Sequence, residues 1–455
     1  MQTEIIIAIY FVFILAIGVY SAFKIKTPSD YYVAGKKAGL IPVSGSLLAT
    51  ILGGSAILGT IELSQKIGWA ALWFLFCASL GLFVLVPLSK YVKRFGNYTL
   101  PELLGKFYGK SAKKIASIII PIAWLGIVAA QIIAAAKILS GLQMFNYTIA
   151  AIISGTVFII YTVIGGQKSI LKTDALQAIL IISGLSAILF FSTQNKLNPV
   201  ETFQLNSLFN SSFSMLDLLI LIVTYSVTFV VGPDIYSRIF CAKNEKTASR
   251  SILAVAIILI PISFALTYLG IYSTQFGGDG IISFALNMLP GWAYGIFIAA
   301  LLSAVMSSAD TTLLTSSMIL NELITGNLNK NNSLRTTRII VVFIGILSII
   351  ISLFVTSIIQ ALLFALTFFS GAFVIPMLAG LLNLNVIKKR VVLAIVIGGI
   401  VALTGKIINV FHDGLLGNII IISSFLINSV LLFIPFNFRL KRNLFIRLNT
   451  TKDET

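Results

Sequence analysis

The chain has 455 residues, of which 58% are hydrophobic and only 10% are charged, and its mean hydropathy is +1.02. Soluble globular chains are nearer a quarter charged, so the composition excludes that class and predicts an integral membrane protein. Lys and Arg exceed Asp and Glu by 32 to 15, a balance that in a soluble chain would suggest nucleic acid as a partner. Two cysteines and one histidine, His412, are too few for a disulfide framework or a zinc site.

Thirteen apolar stretches are long enough to cross about 30 Å of hydrocarbon, which takes roughly 20 helical residues. In chain order they are residues 4–22, 44–66, 69–92, 115–143, 147–165, 170–192, 215–233, 250–275, 292–322, 337–357, 360–383, 389–409 and 417–437. The first begins directly after Met1 with no basic region or cleavage pattern, so we expect a retained span. The sequence thus predicts an all-α membrane protein with 13 transmembrane helices.

Basic residues are divided unequally between alternate loops. One set of loops, with Lys90 and the C-terminal tail, holds 28 of the 32 Lys and Arg residues. The positive-inside rule places this set in the cytoplasm, with the N-terminus outside and the C-terminus inside. Because the charges are scattered over short loops, we expect no nucleic-acid partner. The protein is expected in the cytoplasmic membrane, surrounded by lipid.

The second predicted span has Gly53, Gly54 and Ser55 at its centre. Each glycine weakens a helix by about 1 kcal/mol, and a helix break would free main-chain carbonyls that can coordinate a cation. Paired glycines also allow close packing of helices. The glycines alone favour neither interpretation.

The ninth span contains a run of hydroxyl side chains together with one carboxylate, Asp310. Ser307, Ser308 and Thr311 are spaced to share one helix face with Asp310. Oxygen ligands suit a hard cation such as sodium, and a carboxylate inside hydrocarbon is costly unless it has a function. The pattern favours a cation site over helix packing alone.

Other ionisable residues lie near the predicted ends of spans. Asp174 is expected at the cytoplasmic interface, paired with Lys172 or another basic loop residue, unless it has a role in ion binding. Asp234 and Arg238 are expected to form a solvated pair at the inner end of the seventh span, and Glu62 is expected to cap its helix near Lys66.

Several segments together resemble the sodium/solute symporter family, which includes the proline, pantothenate, sialic acid and sodium/glucose cotransporters. Besides the glycine-containing segment 53–59, they are Asp30-Tyr-Tyr-Val-Ala-Gly-Lys36, Thr99-Leu-Pro-Glu102, Thr173-Asp-Ala-Leu-Gln177, Gly232-Pro-Asp-Ile-Tyr-Ser-Arg238, Ala242-Lys-Asn-Glu-Lys-Thr-Ala248 and Ala304–Thr311. They follow the family's order, and the number and orientation of the spans agree with it.

The resemblance implies a leucine-transporter-type core of two inverted repeats of five helices each. Broken first helices of the two repeats would meet at the bilayer midplane. The implied parts are an extra helix and inner loop in residues 1–43, the repeats in 44–192 and 193–383, and two extra helices with a cytoplasmic tail in 384–455.

The resemblance also implies ion sites. The family's sodium site uses main-chain carbonyls and two hydroxyls, which here correspond to Ile51, Gly54, Ala304, Ser307 and Ser308. Some members hold a second sodium ion near the cytoplasmic side, at positions that correspond to Asp174, Asp310 and Thr311. Asp310 departs from the hydroxyl usual in those members, which leaves a second sodium ion and a proton as alternatives.

Substrate contacts in the family come from four core helices. The matching polar or aromatic residues here are Ser55, Gln131, Tyr225, Ser226, Thr228 and Phe368. They do not distinguish an amino acid, a sugar, a carboxylate or a vitamin as the solute.

The function expected from the resemblance is sodium-coupled import of a small organic solute by alternating access, with no catalytic residue, no cofactor and no obligatory protein partner. The nearest alternative is a proton-coupled carrier on the same fold, since Asp310 is protonatable. Alternatives of another class are a membrane enzyme, for which the chain lacks clustered acid–base or metal-binding groups, and a solute sensor that does not transport.

Overall fold

The computed structural model describes residues 2–194, 203–274, 280–330, 332–411 and 414–434. His412, the last three residues of the final predicted span and the basic C-terminal tail lie outside the described residues.

Within these ranges the chain folds into eighteen α-helices. Their bounds are α1 Gln2–Ala22, α2 Pro28–Val33, α3 Leu40–Ile51, α4 Gly54–Ile67, α5 Leu72–Phe95, α6 Leu100–Tyr108, α7 Lys110–Gly141, α8 Tyr147–Gln194, α9 Met215–Leu221, α10 Val227–Val231, α11 Pro233–Cys241, α12 Glu245–Ser273, α13 Ile281–Met288, α14 Gly291–Thr325, α15 Ser333–Phe354, α16 Ile358–Leu381, α17 Val391–Phe411 and α18 Gly414–Phe433. A π-helical turn, Ile222–Ser226, joins α9 to α10.

Ten helical stretches in the described part of the chain are long and apolar enough to cross a membrane. Two of them, Gly54–Phe95 and Tyr147–Gln194, have 42 and 48 residues, about twice the length that one crossing needs. The all-α membrane class is therefore confirmed. Each of the thirteen predicted spans overlaps helix, but thirteen crossings and the inverted repeats stay predictions.

The longest helix, α8, bends sharply at Gly166, which has φ 56° and ψ −178°. Only glycine adopts this conformation readily. The ring of Tyr31 lies against Gly166, where the Cβ of any other residue would be 2.5 Å from a ring carbon. The bend falls between the fifth and sixth predicted spans, so it separates the two halves of α8 where the sequence predicts a loop.

Two further breaks interrupt predicted spans. The second span is divided into α3 and α4 at Leu52 and Gly53, where Gly53 is extended with φ −61° and ψ 171°. The second break lies at Gly232, between α10 and α11, where the extended backbone is followed by Pro233 at the start of α11. The first N–H groups of a helix have no partner within that helix, so proline, which lacks an N–H, costs no hydrogen bond at that position. Both breaks leave main-chain polar groups in the interior of the bundle.

The hydroxyl-rich helix α14 lies at the centre of the bundle, where it packs against α1, α3, α7, α8 and α15. Nearly all of its side chains between Ala293 and Ser317 are buried. At its C-terminal end Glu322 accepts a hydrogen bond from Thr99 and pairs with Lys113 at 2.5 Å, which ties α14 to α6 and α7. Ser307 and Ser308 of this helix direct their hydroxyl groups to α3, whereas Thr312 and Ser316 bond carbonyls of α14 itself.

Candidate functional site

The α3–α4 break is covered by the hydroxyl groups of α14. Ser307 Oγ donates to the carbonyl of Ala49 at 2.8 Å, and Ser308 Oγ donates to the carbonyl of Thr50 at 2.5 Å. These carbonyls belong to the last turn of α3, where the break removes the amides that would otherwise continue the helix. The predicted break and the predicted hydroxyl face thus meet across one buried interface.

Both glycines at the break are required by close contact as well. A Cβ atom at Gly54 would lie 2.9 Å from Ala134 Cβ and even nearer to the side chain of Val305. A Cβ atom at Gly53 would lie 2.8 Å from Ser308 Cβ. The helix therefore breaks at the glycine pair and also approaches α14 and α7 closely there, whereas coordination of a cation by the freed carbonyls stays a prediction.

The residues matched to the sodium site lie together at this interface. Ser307 also contacts the carbonyl of Ala304 at 3.2 Å, and Ile51 and Ser308 line one cavity. Gly54 packs against Val305, which lies between the matched residues of α14. The groups available are neutral carbonyl and hydroxyl oxygens, which suit a hard cation of low charge. No group of three or more His, Cys, Asp or Glu residues that could hold a metal ion occurs among the described residues.

A buried arginine lies beside the residues matched to the second ion site. Arg238 is fully buried, so the expectation of a solvated pair with Asp234 is wrong. Its guanidinium group donates to five side-chain oxygens: Ser237 Oγ at 2.9 Å, Ser46 Oγ and Thr50 Oγ1 at 3.0 Å, Asp174 Oδ2 at 3.2 Å, and Thr311 Oγ1. The break at Gly232 explains the error, because α11 continues inside the bundle and carries Arg238 with it.

Asp174 is also buried, and its ion-pair partner is Arg238 rather than Lys172. Oδ2 accepts a second hydrogen bond, from Ser46 at 2.5 Å, while Oδ1 has no hydrogen-bond partner among the described residues. Asp310 is buried nearby and accepts a hydrogen bond from Thr162 at 3.4 Å. The structure thus brings Asp174, Asp310 and Thr311 into one region, with Arg238 bonded to two of the three.

A central cavity lies next to the α3–α4 break, between that break and the α10–α11 break. Four of the residues matched to the substrate site line it, namely Ser55, Gln131, Tyr225 and Thr228. Gln131 donates to Ser55 Oγ at 2.8 Å, and the ring of Tyr225 stacks on Phe74 with 4.3 Å between centroids. The cavity also has Trp124, Phe229, Asp234 and Thr312 in its wall, which the sequence analysis did not assign to it.

Two residues matched to the substrate site lie elsewhere. Phe368 packs against Gly399 of α17. The residues of α16 that line the cavity are Leu362 and Leu366. Phe368 is two positions after Leu366 and therefore faces nearly the opposite side of the helix. Ser226 closes the π-helical turn, and its carbonyl group faces Gly81 of α5. Neither residue is among those that line the cavity.

A second cavity contains an ion pair that the sequence did not predict. Glu62 pairs with Lys137 of α7 at 2.5 Å rather than with Lys66, and both residues line this cavity with Gln65. The pair joins α4 to α7 at the end of α4 that is predicted to be extracellular. The residues that line this second cavity are distinct from those that line the central cavity.

The known proteins to which this chain is similar include sodium-coupled symporters. The sodium/pantothenate symporter of Escherichia coli is 24% identical over 353 residues, which cover 70% of this chain and 71% of that protein. The sodium/glucose cotransporter 4 of Danio rerio is 27% identical over 201 residues, and the match spans only 29% of that longer relative. A solved structure of a Na+-coupled sialic acid symporter has a TM-score of 0.71 at 17% identity and covers 93% of this chain and 96% of its own, so the fold is shared.

The chain also matches a whole family. Residues 31–398 match the sodium:solute symporter family, which is well over half of the chain. The relatives are transporters rather than enzymes, and the apolar helices make the protein a multi-pass membrane protein. This chain belongs to the sodium:solute symporter family.

Proposed function

We propose that this protein is a sodium-coupled symporter that carries a small organic solute across the cytoplasmic membrane by alternating access. The observation that carries the proposal is the contact of Ser307 and Ser308 with the main chain of the α3–α4 break. Membership of the sodium:solute symporter family supports sodium as the coupling ion. The names of the relatives include a vitamin, a sugar and a sialic acid, so the family does not fix the solute.

The proposed sodium site consists of the carbonyls of Ile51, Gly54 and Ala304 with the hydroxyls of Ser307 and Ser308. Each hydroxyl group donates its hydrogen to a carbonyl of α3 and keeps two lone pairs, so both serines can present a lone pair to an ion. A bound ion would then join α3 and α4 to α14. The ion would favour the conformation in which these helices are held together. The free energy of this shift equals the difference between its binding free energies for the two conformations of the transporter.

At the second ion site we assign the positive charge to Arg238 rather than to a second sodium ion. The guanidinium group already bonds Asp174 and Thr311 and touches Thr50, the residue before Ile51. A fixed cation there leaves one sodium ion for each transport cycle. That sodium ion would draw on its concentration gradient and on the membrane potential, which supplies about 2.3 kcal/mol per charge for each 100 mV.

The decisive experiment is solute uptake into proteoliposomes with the ion gradients set independently. A panel of amino acids, amines, sugars and carboxylates is offered under an inward sodium gradient, under an inward proton gradient and under neither. We expect uptake of at least one solute that requires sodium and persists when the proton gradient is collapsed. Uptake driven by protons alone would replace the proposal with a proton-coupled carrier, and sodium-independent binding without accumulation would replace it with a sensor.

The hydroxyl ligands give a direct test of the site. Ser307→Ala and Ser308→Ala should each raise the sodium concentration for half-maximal uptake by roughly tenfold or more, since a bond to a charged group contributes about 1.5–3 kcal/mol. Ser316→Ala is the matched control, because the bonds of that buried serine to other described residues are to carbonyls of its own helix, Thr312 at 2.8 Å and Leu313 at 3.1 Å. Equal sodium dependence in all three variants would remove the site from α14.

A further inference from the structure

Among the described residues that line the central cavity there is one carboxylate, Asp234, at the start of α11. No Lys, Arg or His side chain is among the described residues that line this cavity. Asp234 lies in the first helical turn of α11, beside the amides at the start of that helix. A carboxylate has about four acceptor positions, so it keeps capacity for a ligand in the cavity even where it faces those amides.

Aromatic rings surround the same space. Trp124 of α7, Tyr225 of the π-helical turn and Phe229 of α10 all line the cavity. Rings of this kind attract cations, most strongly ammonium and quaternary ammonium groups held within about 6 Å of a ring face. In addition, the buried indole Nε1 of Trp124 has no hydrogen-bond partner among the described residues, so it is free to donate to an oxygen of a ligand.

The charges around the two helix breaks also favour a positive ligand. Three carboxylates, Asp174, Asp234 and Asp310, lie in this region, and Arg238 pairs with Asp174 among them. An ionised carboxylate without a cation is costly in a medium of low polarity. Asp234 belongs to none of the ion pairs among the described residues, so a positively charged ligand beside it would compensate its charge.

We propose that the solute bound in the central cavity carries a positively charged nitrogen, held by Asp234 and the rings of Trp124, Tyr225 and Phe229, together with an oxygen that accepts from Trp124. The class comprises amino alcohols, quaternary ammonium alcohols and zwitterionic amino acids. Sugars and carboxylates without a cationic nitrogen are excluded. The proposal rests on the proposed symport function and specifies the solute of that same site.

The test compares compounds that differ only in the charge of one atom. Sodium-dependent uptake into proteoliposomes is measured for choline, proline, ethanolamine and glycine betaine, and for matched compounds that replace the nitrogen by carbon, such as 3,3-dimethylbutanol for choline. We expect uptake of a compound with the cationic nitrogen at least tenfold above that of its carbon analogue. Sodium-dependent uptake confined to uncharged or anionic solutes would overturn this inference and leave the symport function standing. No sodium-dependent uptake of any solute on the wider panel would overturn the symport function itself.

Variants of Asp234 separate recognition from a structural role. Asp234→Asn should weaken uptake of the cationic solute at least tenfold while its carbon analogue becomes an equal or better competitor, and Asp234→Glu should keep the preference for the cation. Sodium binding in the absence of solute is measured as the rise in the thermal midpoint on adding sodium. This rise should change little in Asp234→Asn. If Asp234→Asn weakens both members of a pair equally, Asp234 only caps α11 and the inference fails.

Discussion

Replacing Gly54 by valine should abolish sodium-dependent uptake in a protein that still inserts into the membrane. The Cβ atom alone would be 2.9 Å from Ala134 Cβ and closer still to the side chain of Val305. Valine adds two methyl groups and restricts the backbone, so α4 would be pushed away from α14. Overpacking of this kind typically costs about 1–3 kcal/mol, and here the displaced groups are the carbonyls proposed to bind the ion.

Alanine variants provide the matched comparison for this prediction. Gly59 lies on the same helix, and a Cβ atom there would meet Ile359 at 3.5 Å, an ordinary contact. Gly59→Ala should therefore transport like the parent, whereas Gly54→Ala should lose most activity. Uptake and the amount of protein in the membrane are measured together. Full uptake by a well-inserted Gly54→Val protein would show that the ion site does not depend on this close contact.

The parts of the site that the sequence predicted lie within single helices or at helix breaks. Gly53 and Gly54 carry their own signal, because paired glycines inside an apolar span weaken a helix and permit close approach. The hydroxyl face of α14 follows from the spacing of Ser307, Ser308 and Thr311 along one helix. Which carbonyls these hydroxyls reach, however, was implied only by the resemblance to a family, since Ser307 and Ala49 are 258 residues apart.

The parts that sequence analysis missed depend on how separate helices pack. Arg238 follows a predicted span, and only the break at Gly232 keeps it inside the bundle, where Asp174 comes from a distant part of α8. The π-helical turn has a similar effect on Ser226, because one extra residue in a turn changes which side chains face the cavity. Gly232 followed by Pro233 was a signal for the break, although not for the partner of Arg238.

Removing the guanidinium group of Arg238 should lower the stability of the protein more than removing an exposed basic group. In Arg238→Leu the buried carboxylate of Asp174 would be left unpaired, and breaking a buried ion pair from one side costs about 3–5 kcal/mol. Arg94→Leu is the matched control, since its ion pair with Glu245 is largely exposed and is worth at most about 1 kcal/mol. The thermal midpoint of the purified protein should fall by several degrees in Arg238→Leu and hardly at all in Arg94→Leu.

The double variant Arg238→Leu with Asp174→Asn should recover part of the lost stability, because it removes both charges instead of one.

The same two residues also test how many sodium ions are transported in each cycle. With Arg238 as the second cation, the parent should show a Hill coefficient of about one for sodium, and Asp174→Asn should leave that value unchanged. A parent coefficient well above one that falls to one in Asp174→Asn would assign the charge to a second sodium ion held by Asp174 and Asp310. In that case Arg238 would only position Asp174, and its loss would be repaired by raising the sodium concentration.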